Sequence, residues 1–294
     1  MGSPTMGPDH NPRKPRHTLP RGSTNCHFHV FEDVKKYPIT ADRTYTPASH
    51  PLSEYLRVYD PLGLERMVLI NASVYGFDNT VTLDAISKLG QHRARGVAGI
   101  SPDIDRRELD RLHKGGIRGA RLSTRVKGYG GIDLIDNIAR KIGPLGWHLN
   151  LHLRNSDYAG LESQLMDAAS PIVFDHLGGV RGNEGVAAPG FQTLLRVLKR
   201  RDDCWVKISG WYHASASGRP DYADIKPMAH ALAAARPDRV VFGTNWPHSS
   251  GEIQGWFPND SDLIDVFCDW FPDADLRQRI LVANPGKLYG FPDS

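Results

Sequence analysis

The sequence predicts an α/β fold, a single domain of alternating strands and helices closed into a parallel (β/α)8 barrel. Eight short apolar runs of strand length recur along the chain. Amphipathic stretches with helical spacing lie between most of them. A strand–helix unit repeated eight times in about 270 residues is the pattern of such a barrel. A doubly wound open sheet is the main competitor. It lacks support, because no glycine-rich GxGxxG turn follows a strand.

The strands, in order, are "TNCHFHV" (24–30), "RMVLINA" (66–72), "ARGVAGI" (94–100), "GIRGARLS" (116–123), "WHLNLHL" (147–153), "PIVFDH" (171–176), "CWVKIS" (204–209) and "RVVFG" (239–243). Of the intervening stretches, "DNTVTLDAISKLGQH" places Val81, Ala85 and Leu89 on one helical face. "DIDRRELDRLHKGG" opens with Asp residues able to cap a helix and stops at glycines. "FQTLLRVLKR" and "YADIKPMAHALAAA" behave similarly. Residues 1–22, rich in proline, basic and polar residues, have no periodic apolar face and read as a disordered arm. Residues 23–294 read as one barrel domain.

Composition excludes several classes. The chain has 294 residues, 40% hydrophobic and 23% charged, with a net charge of +3, which suits an ordinary soluble globular protein. Its apolar runs fall far short of the roughly 20 residues a membrane helix needs. No charged segment followed by an apolar core opens it, so no secretory leader is expected. The basic arm comes with no nucleic-acid-binding motif and reads as a solvated tail. Three widely spaced cysteines, Cys26, Cys204 and Cys268, point to reduced thiols and a cytoplasmic setting rather than a disulfide frame.

Catalytic groups of such a barrel gather at the C-terminal ends of its strands. The first strand ends in His27-Phe28-His29, two imidazoles on one side and roughly 7 Å apart by the alternation of a strand. The fifth carries His148, Asn150 and His152 on one face, with His152 nearest the C-terminal end and His148 a packing residue at the other. The sixth ends in Asp175-His176 before two glycines, of which His176 is the candidate. The eighth leads from Gly243 into Asn245 and His248. The fourth ends in Arg121, with Arg125 and Lys127 following. Guanidinium groups bind carboxylates in bidentate fashion, so Arg121 and Arg125 point to an acidic small molecule. Neither a serine-hydrolase elbow nor a P-loop is present.

These pieces, in this order, resemble the amidohydrolase superfamily. They look most like the branch that holds 2-pyrone-4,6-dicarboxylate lactonases and galactarolactone isomerases. The matching segments are "NCHFHVF", "RGVAGIS", "GGIRGARLS", "LGWHLNLHL", "PIVFDHLGG", "VVFGTNWPHSS" and the tail "LVANPGKLYGF". The resemblance implies a distorted (β/α)8 barrel acting on a small carboxylate-bearing lactone. It places His27, His29 and His176 at the scissile carbonyl and Arg121 on a substrate carboxylate. His248 would line the pocket, and Tyr75 and Asn79 would lie on the second-strand loop as pocket residues. Proton handling falls to His152 or His248.

Two departures from the family pattern bear on mechanism: His152 stands where the lactonase branch carries a non-histidine polar residue and metal-dependent members carry a ligand histidine, and the eighth strand differs. Hydrolytic members read GTDWPH at the eighth strand, with the Asp as general base; this chain has Asn245, and an amide has no useful proton affinity near neutrality. Asn245 is shared with the lactone isomerases, where a substrate hydroxyl attacks in place of water. Hydrolysis is the leading expectation and isomerisation of a sugar-diacid lactone the alternative. A non-catalytic anion-binding barrel and a decarboxylase are more distant ones. On cofactors the expectation is none. Zinc stays open, held if present by His27, His29, His152 and His176, since neutral imidazoles are good zinc ligands. The expected partner is a small acidic lactone, with no nucleic acid and no membrane; homo-oligomerisation stays open.

Overall fold

The computed structural model describes residues 8–249 and 257–292. Eight strands form one sheet in sequential order, every neighbouring pair parallel. They are β1 (Thr24–Phe28), β2 (Arg66–Ile70), β3 (Ala94–Ala98), β4 (Ile117–Ser123), β5 (His148–His152), β6 (Ile172–Phe174), β7 (Cys204–Ile208) and β8 (Val240–Phe242). Each lies inside the run predicted for it and is shorter by one to three residues. The ring closes where β8 runs on past its last strand residue. Phe28 bridges to Trp246, His29 N–H donates to Trp246 O at 2.8 Å, and Asn245 N–H donates to His27 O at 2.8 Å.

The helices form where the sequence provides an apolar stripe and an end signal. Helix Thr80–Leu89 buries Val81, Ala85 and Leu89, one face at helical spacing. Helix Arg106–Lys114 is capped by Asp105, whose side chain accepts from Glu108 N–H at 2.8 Å, and it stops at Gly115. Helices Pro189–Arg200 and Lys226–Ala235 each start with proline in the first turn, where the missing N–H costs nothing.

Inward-facing side chains divide the barrel interior into two levels. Cys26, Val68, Ile70, Val97, Val173, Trp205 and Val241 pack with Tyr289 and Phe291 of the C-terminal segment, an apolar plug. Polar side chains at the C-terminal strand ends lie on the other side. Lys207, wholly buried on β7, stands between them.

The arm departs from expectation. Residues 1–7 lie outside the described residues, but Arg13, Arg16 and His17 contact helix Asp260–Trp270. Arg13 contacts Asp262 at 2.6 Å and Asp265 at 2.7 Å, and Arg16 contacts Asp269 at 2.6 Å. Asp265 also accepts from Arg16 N–H at 2.8 Å although its side chain is nearly buried. The basic residues that read as a solvated tail complement a row of Asp residues spaced along one helix face. All three cysteines are buried and unbridged, and no helix among the described residues is long and apolar enough to cross a membrane.

Candidate active site

A cavity of about 290 Å³ opens at the C-terminal ends of the strands. Its walls include His29, Ser73, Arg121, Arg125, Tyr129, His152, His176, Arg181, His213 and Asn245. Seven strand ends or following loops thus converge on one space. Four imidazoles run in a row along it, of which His27 alone is not in the wall. Ring centroids are 5.1 Å apart for His29 and His27, 4.5 Å for His27 and His176, and 5.2 Å for His176 and His152.

Each of the three histidines of this row that line the cavity has Nδ1 engaged. His29 Nδ1 lies 2.9 Å from Ile70 O, His152 Nδ1 3.1 Å from Ser123 Oγ, and His176 Nδ1 2.9 Å from Ser209 Oγ. These partners set two of the tautomers. A carbonyl oxygen only accepts, so His29 carries its proton on Nδ1 and presents a bare Nε2. Ser123 Oγ accepts from the N–H groups of Arg125 and Val126, both at 3.1 Å. Its own proton therefore goes to His152 Nδ1, and His152 presents an Nε2–H donor. Burial pushes His29 and His176 down to about 3, with the charge of Arg121 adding to the effect. Burial likewise holds His152 well below the usual histidine range. All three stand neutral near pH 7.

The charge centre below the cavity is Asp175, one position past β6 and wholly buried. It accepts from Arg121 Nε at 2.8 Å and from Asn150 Nδ2 at 3.0 Å. Lys207 Nζ lies 3.1 Å away and His27 Nδ1 3.4 Å. Burial opposes the carboxylate, but Lys207 and Arg121 outweigh it and hold Asp175 well below its ordinary range. Neither Asp175 nor Lys207 stood among the sequence candidates. The signal was present: alternation along "PIVFDH" and "CWVKIS" puts Val173 and Asp175, then Trp205 and Lys207, on the inner face. A lysine inside an otherwise apolar strand calls for a buried acid.

The other candidates are distributed as follows. Arg125 lines the cavity, its Nη1 3.4 Å from Gly179 O. Burial and the like charges of Arg154 and Arg181 depress its proton affinity. Asn245 lines the cavity in a left-handed backbone conformation, φ 66°. His27 is sealed beneath the floor, and neither ring nitrogen has a hydrogen-bond partner among the described residues. His148 packs edge-on against Tyr289 at 5.2 Å, at the far end as expected. Three expected pocket residues are outside the cavity wall. Tyr75 accepts from Glu32 N–H at 3.2 Å and borders a separate cleft with Phe31 and Asp33. Asn79 exchanges two hydrogen bonds with the backbone of Gly99, at 2.8 and 3.1 Å, and so ties the second-strand loop to the end of β3. His248 is wholly buried behind Asn245, between Tyr212 and Asp260. Tyr129, Arg181 and His213 line the cavity without having been singled out, because they lie past the strand ends, where strand alternation gives no signal.

The fit of a divalent metal rests on the donor set. The orphaned nitrogens of His27 are the one feature in its favour. Against it, the nearest carboxylate is already engaged by Arg121 and Lys207, and the eighth strand offers an amide. Among the described residues no three His, Cys, Asp or Glu side chains are placed to share an ion. The residues do not fit a divalent cation, and no step below runs through one.

The closed parallel barrel is that of the amidohydrolase class. The amidohydrolase family model matches residues 24–291, and the chain belongs to that family. It is 37% identical to a 4-sulfomuconolactone hydrolase of Hydrogenophaga intermedia, over 97% of this chain and 94% of that one. It is 32% identical to a 2-pyrone-4,6-dicarboxylate hydrolase of Comamonas testosteroni, over 95% and 93%. A D-galactarolactone isomerase of Agrobacterium fabrum is 27% identical over 94% and 93%. Among solved structures, the apo form of Agrobacterium tumefaciens ATU3138 superposes with a TM-score of 0.88 at 26% identity, covering 97% of this chain and all of that one.

Proposed function

We propose that this protein hydrolyses a small lactone bearing one or more acidic groups. The observation that carries the reading is the cavity lining: neutral imidazoles and the arginines Arg125 and Arg181, with no carboxylate among the described residues. Such a wall favours an anion and presents both a proton acceptor and a proton donor to a carbonyl. The hydrolase names of the more similar relatives support the same reading.

In this mechanism Arg125 and Arg181 hold the substrate's acidic groups. His152 Nε2–H and the Arg121 guanidinium face the carbonyl oxygen and stabilise its developing negative charge. Water attacks the carbonyl carbon and gives a proton to His29 Nε2. The tetrahedral intermediate then collapses, the ring C–O bond breaks, and the leaving alkoxide takes the proton back from His29. In the empty protein His29 is a weak base. An anion bound among the arginines offsets the positive charge that depresses it and raises its proton affinity when it is needed. His27 and His176 brace the imidazole row, and Asp175 with Lys207 holds Arg121 in place.

Asn245 favours a second reading, in which a substrate hydroxyl attacks and one lactone isomerises to another. A panel of acidic lactones in ¹⁸O-labelled water, followed by proton NMR and mass spectrometry, separates the two. Hydrolysis puts one label into a ring-opened acid. An unlabelled, rearranged lactone overturns it in favour of isomerisation.

A further inference from the structure

We propose that a buried relay, Tyr212–His248–Asp260, positions Asn245 by fixing which end of its amide faces the cavity: Nδ2 inward on Tyr212, Oδ1 outward as acceptor for the attacking hydroxyl or water. The inference deepens the lactone-attack reading and rests on it.

The direction of each hydrogen bond follows from groups that can only donate or only accept. Asn25 Oδ1 accepts from the backbone N–H groups of His27 at 3.2 Å and Thr244 at 3.0 Å, so Asn25 Nδ2 donates to Thr244 Oγ1 at 2.9 Å. Thr244 Oγ1 and Tyr59 Oη are 2.7 Å apart, and Tyr59 Oη meets Asp260 Oδ1 in a short contact. The Tyr59 proton thus goes to Asp260, which acts as an acceptor. His248 Nε2 lies 3.1 Å from the same oxygen and must carry the proton there. In the neutral imidazole, His248 Nδ1, 2.7 Å from Tyr212 Oη, then accepts the Tyr212 proton. Tyr212 Oη then accepts from Asn245 Nδ2 at 3.0 Å. Asn245 Nδ2 also lies 3.3 Å from His213 Nε2, a second acceptor when that nitrogen is bare. The bond to Tyr212 turns Nδ2 inward, and Oδ1 is left for the cavity. The reversed amide would set Oδ1 against an oxygen whose proton is already given away.

The backbone supports the same division of labour. Asn245 N–H is tied to His27 O, and His248 N–H donates to Asn245 O at 3.0 Å. The turn therefore holds both residues in register while the relay sets the remaining side-chain rotation. Tyr212, His248 and Asp260 are all buried and do not line the cavity. They are positioning residues and touch no substrate.

The test compares Tyr212→Phe and His248→Gln, alone and combined with Asn245→Asp. A relay that orients an acceptor predicts a kcat lowered about 10- to 100-fold by Tyr212→Phe with KM nearly unchanged. In the Asn245→Asp background, a carboxylate presents an acceptor however it rotates, so Tyr212→Phe changes kcat by less than about twofold. Equal losses in both backgrounds overturn the proposal. A readout independent of turnover is the ¹H–¹⁵N signal of the Asn245 side-chain amide, assigned by its disappearance in Asn245→Asp. It shifts in Tyr212→Phe and in His248→Gln if the relay holds the amide; no shift in either overturns it. If no lactone is turned over, the amide signal still decides the orientation while the hydrolytic reading alone fails.

Discussion

His29 and His152 border one cavity but carry their protons on opposite nitrogens, and their partners, Ile70 O and Ser123 Oγ, are the cause. His29→Gln removes the proton acceptor but keeps a polar side chain. Loss of a general base costs about 10²- to 10⁴-fold in kcat, measured with the lactone that gives turnover. Retained activity would transfer the role to His213 or to the substrate. Arg125 should act on binding instead. A charge-assisted hydrogen bond is worth about 1.5–3 kcal/mol, so Arg125→Ala raises KM about 10- to 100-fold with kcat little affected. A pure kcat loss would refute an anchoring role. Asn245→Asp tests water activation directly: faster hydrolysis fits a site short of a base, and slower hydrolysis identifies the amide itself as the working group.

The strands deliver these groups in pairs whose backbones are close. Gly243, at the end of β8, is needed for this: a Cβ there would lie 2.7 Å from His27 Cβ and 2.9 Å from His27 N. The backbone is left-handed at His176, Leu177, Asn245 and His248, all at the ends of β6 and β8. Such conformations cost about 1–3 kcal/mol each for non-glycine residues, and two of them, at His176 and Asn245, belong to side chains of the cavity wall. β4, β6 and β7 are joined inside the barrel by Arg121, Asp175 and Lys207. Asp175→Asn would leave two buried cations short of their counter-charge, a change that costs about 3–5 kcal/mol in urea unfolding. An unchanged midpoint would show that the pairing contributes nothing to the fold.

Titration of the buried histidines sets how the whole molecule responds to acid. In the fold, His29 and His176 protonate only near 3; in the unfolded chain they do so near 6.5. Between those values the unfolded state binds more protons, so their contribution is full above about pH 6.5 and is lost as pH falls toward 3. Asp175, held low in the fold, contributes above its unfolded value of about 4 and loses that contribution at lower pH, in the same direction. The melting temperature should therefore decline steadily from pH 7 to pH 4, read by circular dichroism. A flat profile would mean that the histidines are not buried neutral. The docked arm adds a salt-sensitive part: Arg13 and Arg16 are about half exposed, so their pairing with the Asp row weakens with ionic strength.

The sequence by itself determined the barrel, its eight strands in order, and six residues of the cavity wall. Strand alternation and the position of strand ends are local properties, and His29, Arg121, His152, His176 and Asn245 all fall at such ends. Tertiary structure decided the partners. Asp175 and Lys207 carry the inner-face pattern in the sequence, but only the closed ring shows that they meet each other and Arg121. His248 reads as a pocket residue until Asp260, twelve positions on, seals it behind Asn245. The arm reads as solvated until helix Asp260–Trp270 brings its acids to it. Proton positions depend on donors and acceptors from different strands and loops, and no spacing within one segment encodes them. That is why the histidines could be listed from the chain, while which of them gives a proton and which takes one could not.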